Sequence, residues 1–193
     1  DADCVRYHLD NTLGLLVKDK IEILKIHNET KGAACSALLA AKLIANRQPL
    51  LICNGDQIFD LDLDESLKSM TDDRVDAACI TFKSVHPRWS YVRIDGTEII
   101  EAAEKNPLSD NAIAGFYFFN QGIDFVDAAK RMILKDAKVN DSFYIAPVFN
   151  ELVLAGKHLK SYEINANQYH TFYSPQKIQE YERTLTSINV PLQ

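Results

Sequence analysis

The sequence predicts an α/β domain in which a mostly parallel central sheet is flanked by helices and carries a small antiparallel extension. Three observations support this. Within residues 20–53 the apolar residues first alternate as in a strand, then recur at helical spacing, then form a short continuous run. That run, Leu50-Leu51-Ile52-Cys53, follows Pro49 and precedes Asn54-Gly55-Asp56, as expected of a central strand covered on both faces. Finally, Asp95-Gly96 separates two alternating segments, which is a tight-hairpin signal.

Taken in order, residues 20–26 read as a strand because Ile21, Ile23, Leu24 and Ile26 recur near a period of two. Residues 30–46 read as a buried Ala-rich helix with a broad apolar stripe. With the strand at 49–53 this order implies a right-handed βαβ unit. A short helix is expected at 64–70, capped near Asp64, and a buried strand at 75–82. Strands at 91–94 and 98–103 form the hairpin, and 113–120 is an apolar aromatic strand containing one Gly. Helices follow at 121–135 and 143–155, the second closed by Gly156. A strand at 158–164 precedes a helix at 174–185, which opens with Ser174 as N-cap and Pro175 at the first helical position.

The 193 residues, 47% hydrophobic, suffice for one globular domain with a sizeable core and not for two, so residues 1–193 are expected to form a single domain. A net charge of -6 argues against nucleic acid as partner, because phosphate-backbone binding needs clustered Lys and Arg. No apolar run approaches the roughly 20 residues of a membrane span. Cys4, Cys35, Cys53 and Cys79 show neither CxxC nor Cys/His ligand spacing, which reads as a reduced, cytoplasmic setting. The five histidines share no ligand spacing and read as surface or satisfied residues. Trp89 reads either as a pocket wall or as a core plug.

Three segments could carry chemistry. Asn54-Gly55-Asp56 lies just beyond a strand, where ligands bind in open α/β sheets, and Asp56 can hold a hard cation; alone, the tripeptide reads equally well as a turn. The helix opening at Thr30, Gly32, Ala33 and Ala34 offers free N–H groups and a flat floor for a base, although such an opening is also ordinary packing. Glu104 and Lys105 at a strand exit could hold sugar hydroxyls and a phosphate, with Asn111 and Gly115 in the next strand; alone, this reads as a solvated turn.

The order of Asn54-Gly55-Asp56-Gln57, Glu104-Lys105-Asn106-Pro107, the strand around Gly115, the segment SFYIAPVFNEL at 142–152 and YSPQKIQEYE at 173–182 resembles the sugar-phosphate nucleotidyltransferases. This is the nucleotide-sugar pyrophosphorylase superfamily, with its Rossmann-like, glycosyltransferase-A-type fold, and the closest flavour is the surface-polysaccharide branch. The resemblance implies an enzyme that transfers a nucleoside monophosphate from a triphosphate to a sugar phosphate or similar phosphorylated acceptor and releases pyrophosphate. It implies Asp56 and Lys105 as catalytic residues, with Asp56 holding Mg2+. Thr30, Gly32, Ala33, Asn54 and Gly55 would bind the nucleotide, a pyrimidine with CTP first. Glu104, Lys105, Asn111 and Gly115 would bind the acceptor. A homo-oligomer is left open.

Three departures accompany the resemblance. The Gly-rich loop that cradles the triphosphate is missing from the sequence, so the domain is expected to be N-terminally incomplete. The position where relatives often carry a second metal-binding Asp reads Pro147, with Asp141 as a weak substitute, and the turn at 173–177 lacks the usual Gly and acids. Two other readings stand beside the first. One is a non-catalytic homologue that binds a nucleotide sugar or regulates a partner. The other is a metal-dependent glycosyltransferase using Asp60-Leu61-Asp62 or Asp62-Leu63-Asp64.

Overall fold

The computed structural model describes residues 2–17, 21–72 and 75–188. Two short helices, α1 (Ala2–Tyr7) and α2 (Leu9–Leu16), precede α3 (Ala33–Leu38), α4 (Ala41–Ile44), β1 (Leu50–Cys53), β2 (Gln57–Phe59) and α5 (Leu63–Asp72). Then come β3 (Ala77–Lys83), β4 (Ser90–Asp95), β5 (Glu98–Glu104), β6 (Asn111–Phe119), α6 (Gly122–Leu134) and α7 (Val148–Leu154). The chain closes with β7 (Leu159–Glu163), β8 (Tyr169–Thr171) and α8 (Pro175–Ile188).

The main sheet runs β5-β4-β6-β3-β7, with β1 also paired to β6, and β2 and β8 form a separate two-stranded ribbon. β6 organises the sheet because eight of its nine residues are buried. It is antiparallel to β3 over its length, to β1 at its C-terminal half and to β4 at its start. The α/β class with flanking helices holds, but the expected strand direction needs correction: the one parallel ladder among the described residues is β3 with β7. β1 and β3 do run the same way, but β6 is inserted between them, and a strand-helix-strand order along the chain carries no record of such an insertion. β1 is correspondingly half exposed along alternate residues, with Leu51 open, rather than covered on both faces.

The strand expected at residues 20–26 is absent. Residues 21–27 carry no regular structure, Ile21, Leu24 and Ile26 are exposed, and Lys20 lies outside the described residues. Alternation prepares a strand to bury one face, but Ile21, Leu24 and Ile26 stay exposed, and among the described residues no strand forms here to begin a βαβ unit. The helix expected over 30–46 is broken into α3 and α4, and of α3 only Ala34 is buried. Its start is fixed by Gly32, whose φ of 112° few other residues adopt, and by Phe143, whose carbonyl accepts the Ala34 N–H at 3.0 Å. The same clasp shortens the later helix. Phe143 donates its own N–H to the Lys31 carbonyl at 2.7 Å, its carbonyl is taken by Ala34, and Pro147 has no N–H to close a helical bond back to it, so α7 begins after Pro147. The hairpin at Gly96, the strands β3 and β6, and the helices α5, α6 and α8 match the sequence pattern, whereas α1, α2 and the β2–β8 ribbon were not expected from it. Ser174 accepts the Lys177 N–H at the mouth of α8, as its sequence suggested.

Two apolar cores lie on opposite faces of the sheet. On one face α6 and α7 pack Phe125, Met132, Phe149 and Leu152 against Tyr117 and Phe119 of β6. The Phe149 ring meets Tyr117 and Phe119 edge-on, with centroids 5.8 Å away in both cases. On the other face Met70, Ile80, Phe82, Tyr91, Phe116 and Tyr169 gather. α7 is also tied to the hairpin, because the Asn150 amide accepts the Ala102 N–H and donates to the Ala102 carbonyl, both at 2.8 Å. Among the described residues no helix is long and apolar enough to cross a membrane. All four cysteines are free, and Cys79 is buried. Because Phe149 is completely buried, Phe149→Ala should cost about 3–5 kcal/mol, read as a lowered urea midpoint with an unchanged slope.

Candidate active site

The site begins where β1 stops. Leaving Cys53, the chain passes through Asn54, Gly55 and Asp56 into β2, and β2 pairs with β8 so that Gln57 faces Thr171. At the same level β6 is interrupted. Between the pairs Cys79–Tyr117 and Thr81–Ile113, residues 114–116 stand opposite the single residue Ile80. Gly115 sits in this bulge with a φ of 59°, and its carbonyl accepts the Asn54 N–H at 3.1 Å and the Gln57 Nε2 at 3.0 Å. A Cβ at Gly115 would overlap the Asn54 side chain and stand 2.7 Å from Gln57 Oε1. The Gln57 amide also accepts the Tyr169 hydroxyl at 3.1 Å, so one side chain ties β2, β6 and β8 together.

This junction opens into a cleft of ≈ 320 Å³. Ala33, Asn54, Asp56, Glu104 and Gly115, residues from four separate chain segments, all line it. Asp56 is exposed, and among the described residues its carboxylate has no hydrogen-bond or ion-pair partner; its backbone carbonyl accepts the Phe172 N–H at 2.8 Å. Together with burial, the Asp56 charge holds the Tyr169 hydroxyl well above the ordinary tyrosine range, burial being the larger cause. Glu104 is nearly buried and accepts the Ser90 hydroxyl. Burial pushes the Glu104 carboxyl up, against the opposing pull of Ser90 and of the Lys105 charge. Lys105 leaves β5 with a φ of 54°, its N–H anchored on the Trp89 carbonyl at 3.0 Å. Its ammonium donates to the Tyr144 hydroxyl at 2.7 Å, and that bond raises the Lys105 pKa. Tyr144 lines the cleft, whereas Lys105 is not among the residues that line it and reaches it only through its contact with Tyr144.

Other expected site residues lie elsewhere or are otherwise engaged. Asn111 accepts Lys83 Nζ at 2.8 Å at the start of β6, four residues or about 13 Å along the strand from Gly115, and is outside the cleft wall. The Thr30 hydroxyl is bonded to Ser36 Oγ at 2.6 Å and to the Gly32 carbonyl at 3.1 Å, which uses it within the helix opening. Gly32 is required sterically by the protein itself, since a Cβ there would overlap the Phe143 backbone. Gly55 has nothing near a would-be Cβ. Asp141 pairs with Lys31 and Lys138 at 3.2 Å each and is not among the residues lining the cleft. Pro147 lines a neighbouring depression with Lys138, Val139 and Asn150, which meets the Asp56 cleft at Glu104, and is not itself among the cleft-lining residues. The cleft residue beside Asp56 on the ribbon is Thr171.

Among the described residues no group of three or more Asp, Glu, His or Cys side chains could hold a metal by itself. A lone unpartnered carboxylate nevertheless fits Mg2+, which takes one or two carboxylates and completes its octahedron with water and substrate phosphate. Of the DxD alternatives, Asp60 pairs with His170 at 2.8 Å, Asp62 caps α5 by accepting the Glu65 N–H at 3.0 Å, and neither these nor Asp64 line the cleft. Sequence reasoning missed Arg88, Ser90, Tyr144, Tyr169, Thr171 and Tyr173 as cleft residues. Trp89, read as wall or plug, does both, lining the cleft while its ring packs 5.4 Å from Phe82.

The sequence matches the nucleotidyl transferase family over residues 7–168, and the chain belongs to that family. Solved structures of similar fold include the nucleoside-diphosphate-sugar pyrophosphorylase from Vibrio cholerae RC9, at 21% identity and a TM-score of 0.74, covering 93% of this chain and 76% of that one. A protein from Bacillus anthracis assigned as a glucose-1-phosphate thymidylyltransferase, in complex with a sucrose, matches at 20% identity and a TM-score of 0.65, over 87% of this chain and 66% of that one. The inositol-1-phosphate CTP transferase from T. maritima matches at 16% identity and a TM-score of 0.59, over 81% and 62% of the two chains. At these identities the likeness is one of fold. Among curated proteins no sequence matches the chain.

Two outcomes test the site's construction. Gly115→Ala should cost at least about 1–2 kcal/mol from the left-handed backbone alone, before the overlap with Asn54 is relieved, and should lower the denaturant midpoint. For Glu104, an acid whose pKa is raised by folding, the contribution to stability is present at pH below the ordinary Glu range and is lost as pH rises through the raised value. Glu104→Gln should therefore raise the unfolding temperature relative to the parent at pH 7, with the difference vanishing near pH 4. A difference that stays constant across pH would show that burial of the ionised carboxylate is not its source.

Proposed function

We propose that the chain transfers a nucleoside monophosphate from a nucleoside triphosphate to a sugar phosphate or a similar phosphorylated acceptor, releasing pyrophosphate. The observation that supports this best is the convergence of Ala33, Asn54, Asp56, Glu104 and Gly115 on one cleft in a chain of the nucleotidyl transferase family. Three structural neighbours are described as acting on a nucleoside-diphosphate sugar, glucose 1-phosphate and inositol 1-phosphate, which points to the same kind of acceptor here. In the reaction an acceptor phosphate oxygen attacks the α-phosphorus in line, the new oxygen–phosphorus bond forms, and the bond to the β-phosphate breaks. Such a transfer is driven by positioning and charge neutralisation and needs no nucleophilic triad.

The small side chain of Ala33 leaves space for a base, and the neighbour that uses CTP agrees with a pyrimidine, CTP first. Asp56 is the residue that would hold Mg2+, which when bound supplies neutralisation of phosphate charge. Glu104 sits at the cleft wall with an oxygen free of Ser90 and accepts acceptor hydroxyls. Lys105 turns from the Tyr144 hydroxyl toward the acceptor phosphate. The setting is the cytoplasm, where triphosphates are present and four free thiols stay reduced. A second reading, a nucleotide-sugar-binding homologue without turnover, is favoured by one feature: apart from Asp56 the cleft offers only Glu104 as a carboxylate, and that one is engaged by Ser90.

Pyrophosphate release from each of the four triphosphates with Mg2+ and, as acceptor, glucose 1-phosphate, glucose 1,6-bisphosphate or glucuronic acid 1-phosphate separates the two readings. Transfer predicts release that Asp56→Asn abolishes while the unfolding temperature is kept, and that Lys105→Met lowers by about 10²-fold or more if the ammonium meets charge developed in the transition state. Binding of a nucleotide sugar with no release from any triphosphate would establish the non-catalytic reading.

A further inference from the structure

Behind the cleft lies a second cavity of ≈ 460 Å³, between the loop that precedes β4 and the start of α8. The two spaces adjoin, with Arg88, Trp89, Tyr169, Thr171 and Tyr173 lining both. The ionisable side chains of the second cavity are largely spoken for. His170 is paired with Asp60 at 2.8 Å, and Lys177 with Glu180 at 2.6 Å. Arg88 is the exception. Among the described residues no carboxylate pairs with its guanidinium, which lies 3.5 Å from the centroid of the Tyr173 ring and 5.0 Å from that of Trp89. It is also close enough to Lys177 that its charge opposes the rise in the Lys177 pKa that Glu180 produces.

Stacking uses the faces of a guanidinium and leaves its five N–H donors in the plane, directed outward at the edges. A group held in this way, with no acid to satisfy it and on the wall common to two cavities, matches a planar or tripodal oxyanion that takes two parallel hydrogen bonds. We infer that Arg88 binds a second anionic group of the acceptor, a carboxylate or a phosphate distinct from the phosphate that is nucleotidylated, and that the acceptor's far end occupies the second cavity. This rests on the proposed function for the identity of the cleft as the acceptor site. It adds a specificity: the favoured acceptors carry two anionic groups, and a neutral sugar phosphate is a poor one.

The test is a binding measurement that needs no turnover. Calorimetric titration of the protein with glucose 1-phosphate, glucose 1,6-bisphosphate and glucuronic acid 1-phosphate should give a dissociation constant roughly 10- to 100-fold tighter for at least one of the doubly anionic compounds, the scale of a charge-assisted bidentate contact. Whichever is tighter tells phosphate from carboxylate. In Arg88→Gln that ratio should collapse to within about threefold, and in Arg88→Lys, which keeps the charge but loses the planar fork, it should be intermediate. Equal affinities for all three compounds in the parent protein, or a ratio that survives in both variants, overturns the inference. If Arg88→Gln unfolds, the Lys variant decides alone. Failure of the proposed function would show separately, as absence of pyrophosphate release with every acceptor while the Arg88-dependent binding ratio persists.

Discussion

The carbonyl of Gly115 is the point on which the site depends. It takes hydrogen bonds from the Asn54 backbone and the Gln57 side chain at 3.1 and 3.0 Å, and it can do so only because β6 bulges there with a left-handed residue. The sheet is therefore interrupted at its most buried strand. The loop after β1 is pinned to that interruption from one side, and the β2–β8 ribbon is pinned to it from the other through Gln57 and Tyr169. A strand with regular pairing throughout would bring no such gap, and Asp56 would have no cleft to face.

From that constraint the charges of the site follow. Asp56 is left without an ion-pair partner at the open end, whereas Glu104 is held at depth by Ser90, where burial makes its ionised form costly. The two carboxylates thus differ in environment and in use: one is ready for a cation, and the other is a better acceptor for neutral hydroxyls than for a second charge. The cations are arranged in the same spirit. Lys105 rests on Tyr144, with Glu104 acting on its charge, and Arg88 rests on Tyr173, and among the described residues neither is held in a direct ion pair. A cation held by a ring keeps its charge available to a phosphate or carboxylate.

Much of this organisation is present in the one-dimensional pattern. The buried strands β3 and β6, the hairpin turning at Gly96, the amphipathic helices α6 and α8, and the candidate residues Asp56, Glu104, Lys105 and Gly115 are each set by local chemistry: apolar runs, a turn dipeptide, a Ser-Pro helix start, short motifs beyond strand ends. The misassignments share another cause. The strand at residues 20–26, the unbroken helix over 30–46 and the long helix from 143 were inferred from patterns whose expression depends on what lies across from them. Residues 21–26 join no strand among the described residues, while Gly32 and Phe143 find each other.

The sequence by itself determined the α/β class, the identity of the core strands and the chemical character of a few segments, because each of these depends on residues near one another in the chain. Only the tertiary structure decided that β6 separates β1 from β3, that Pro147 and Asn111 fall outside the cleft, and that Arg88, Tyr144 and Thr171 fall inside it. Hydrogen-bond pairing and side-chain packing across tens of residues made those choices. They depend on the summed fit of whole elements, and no window of neighbouring residues contains that sum.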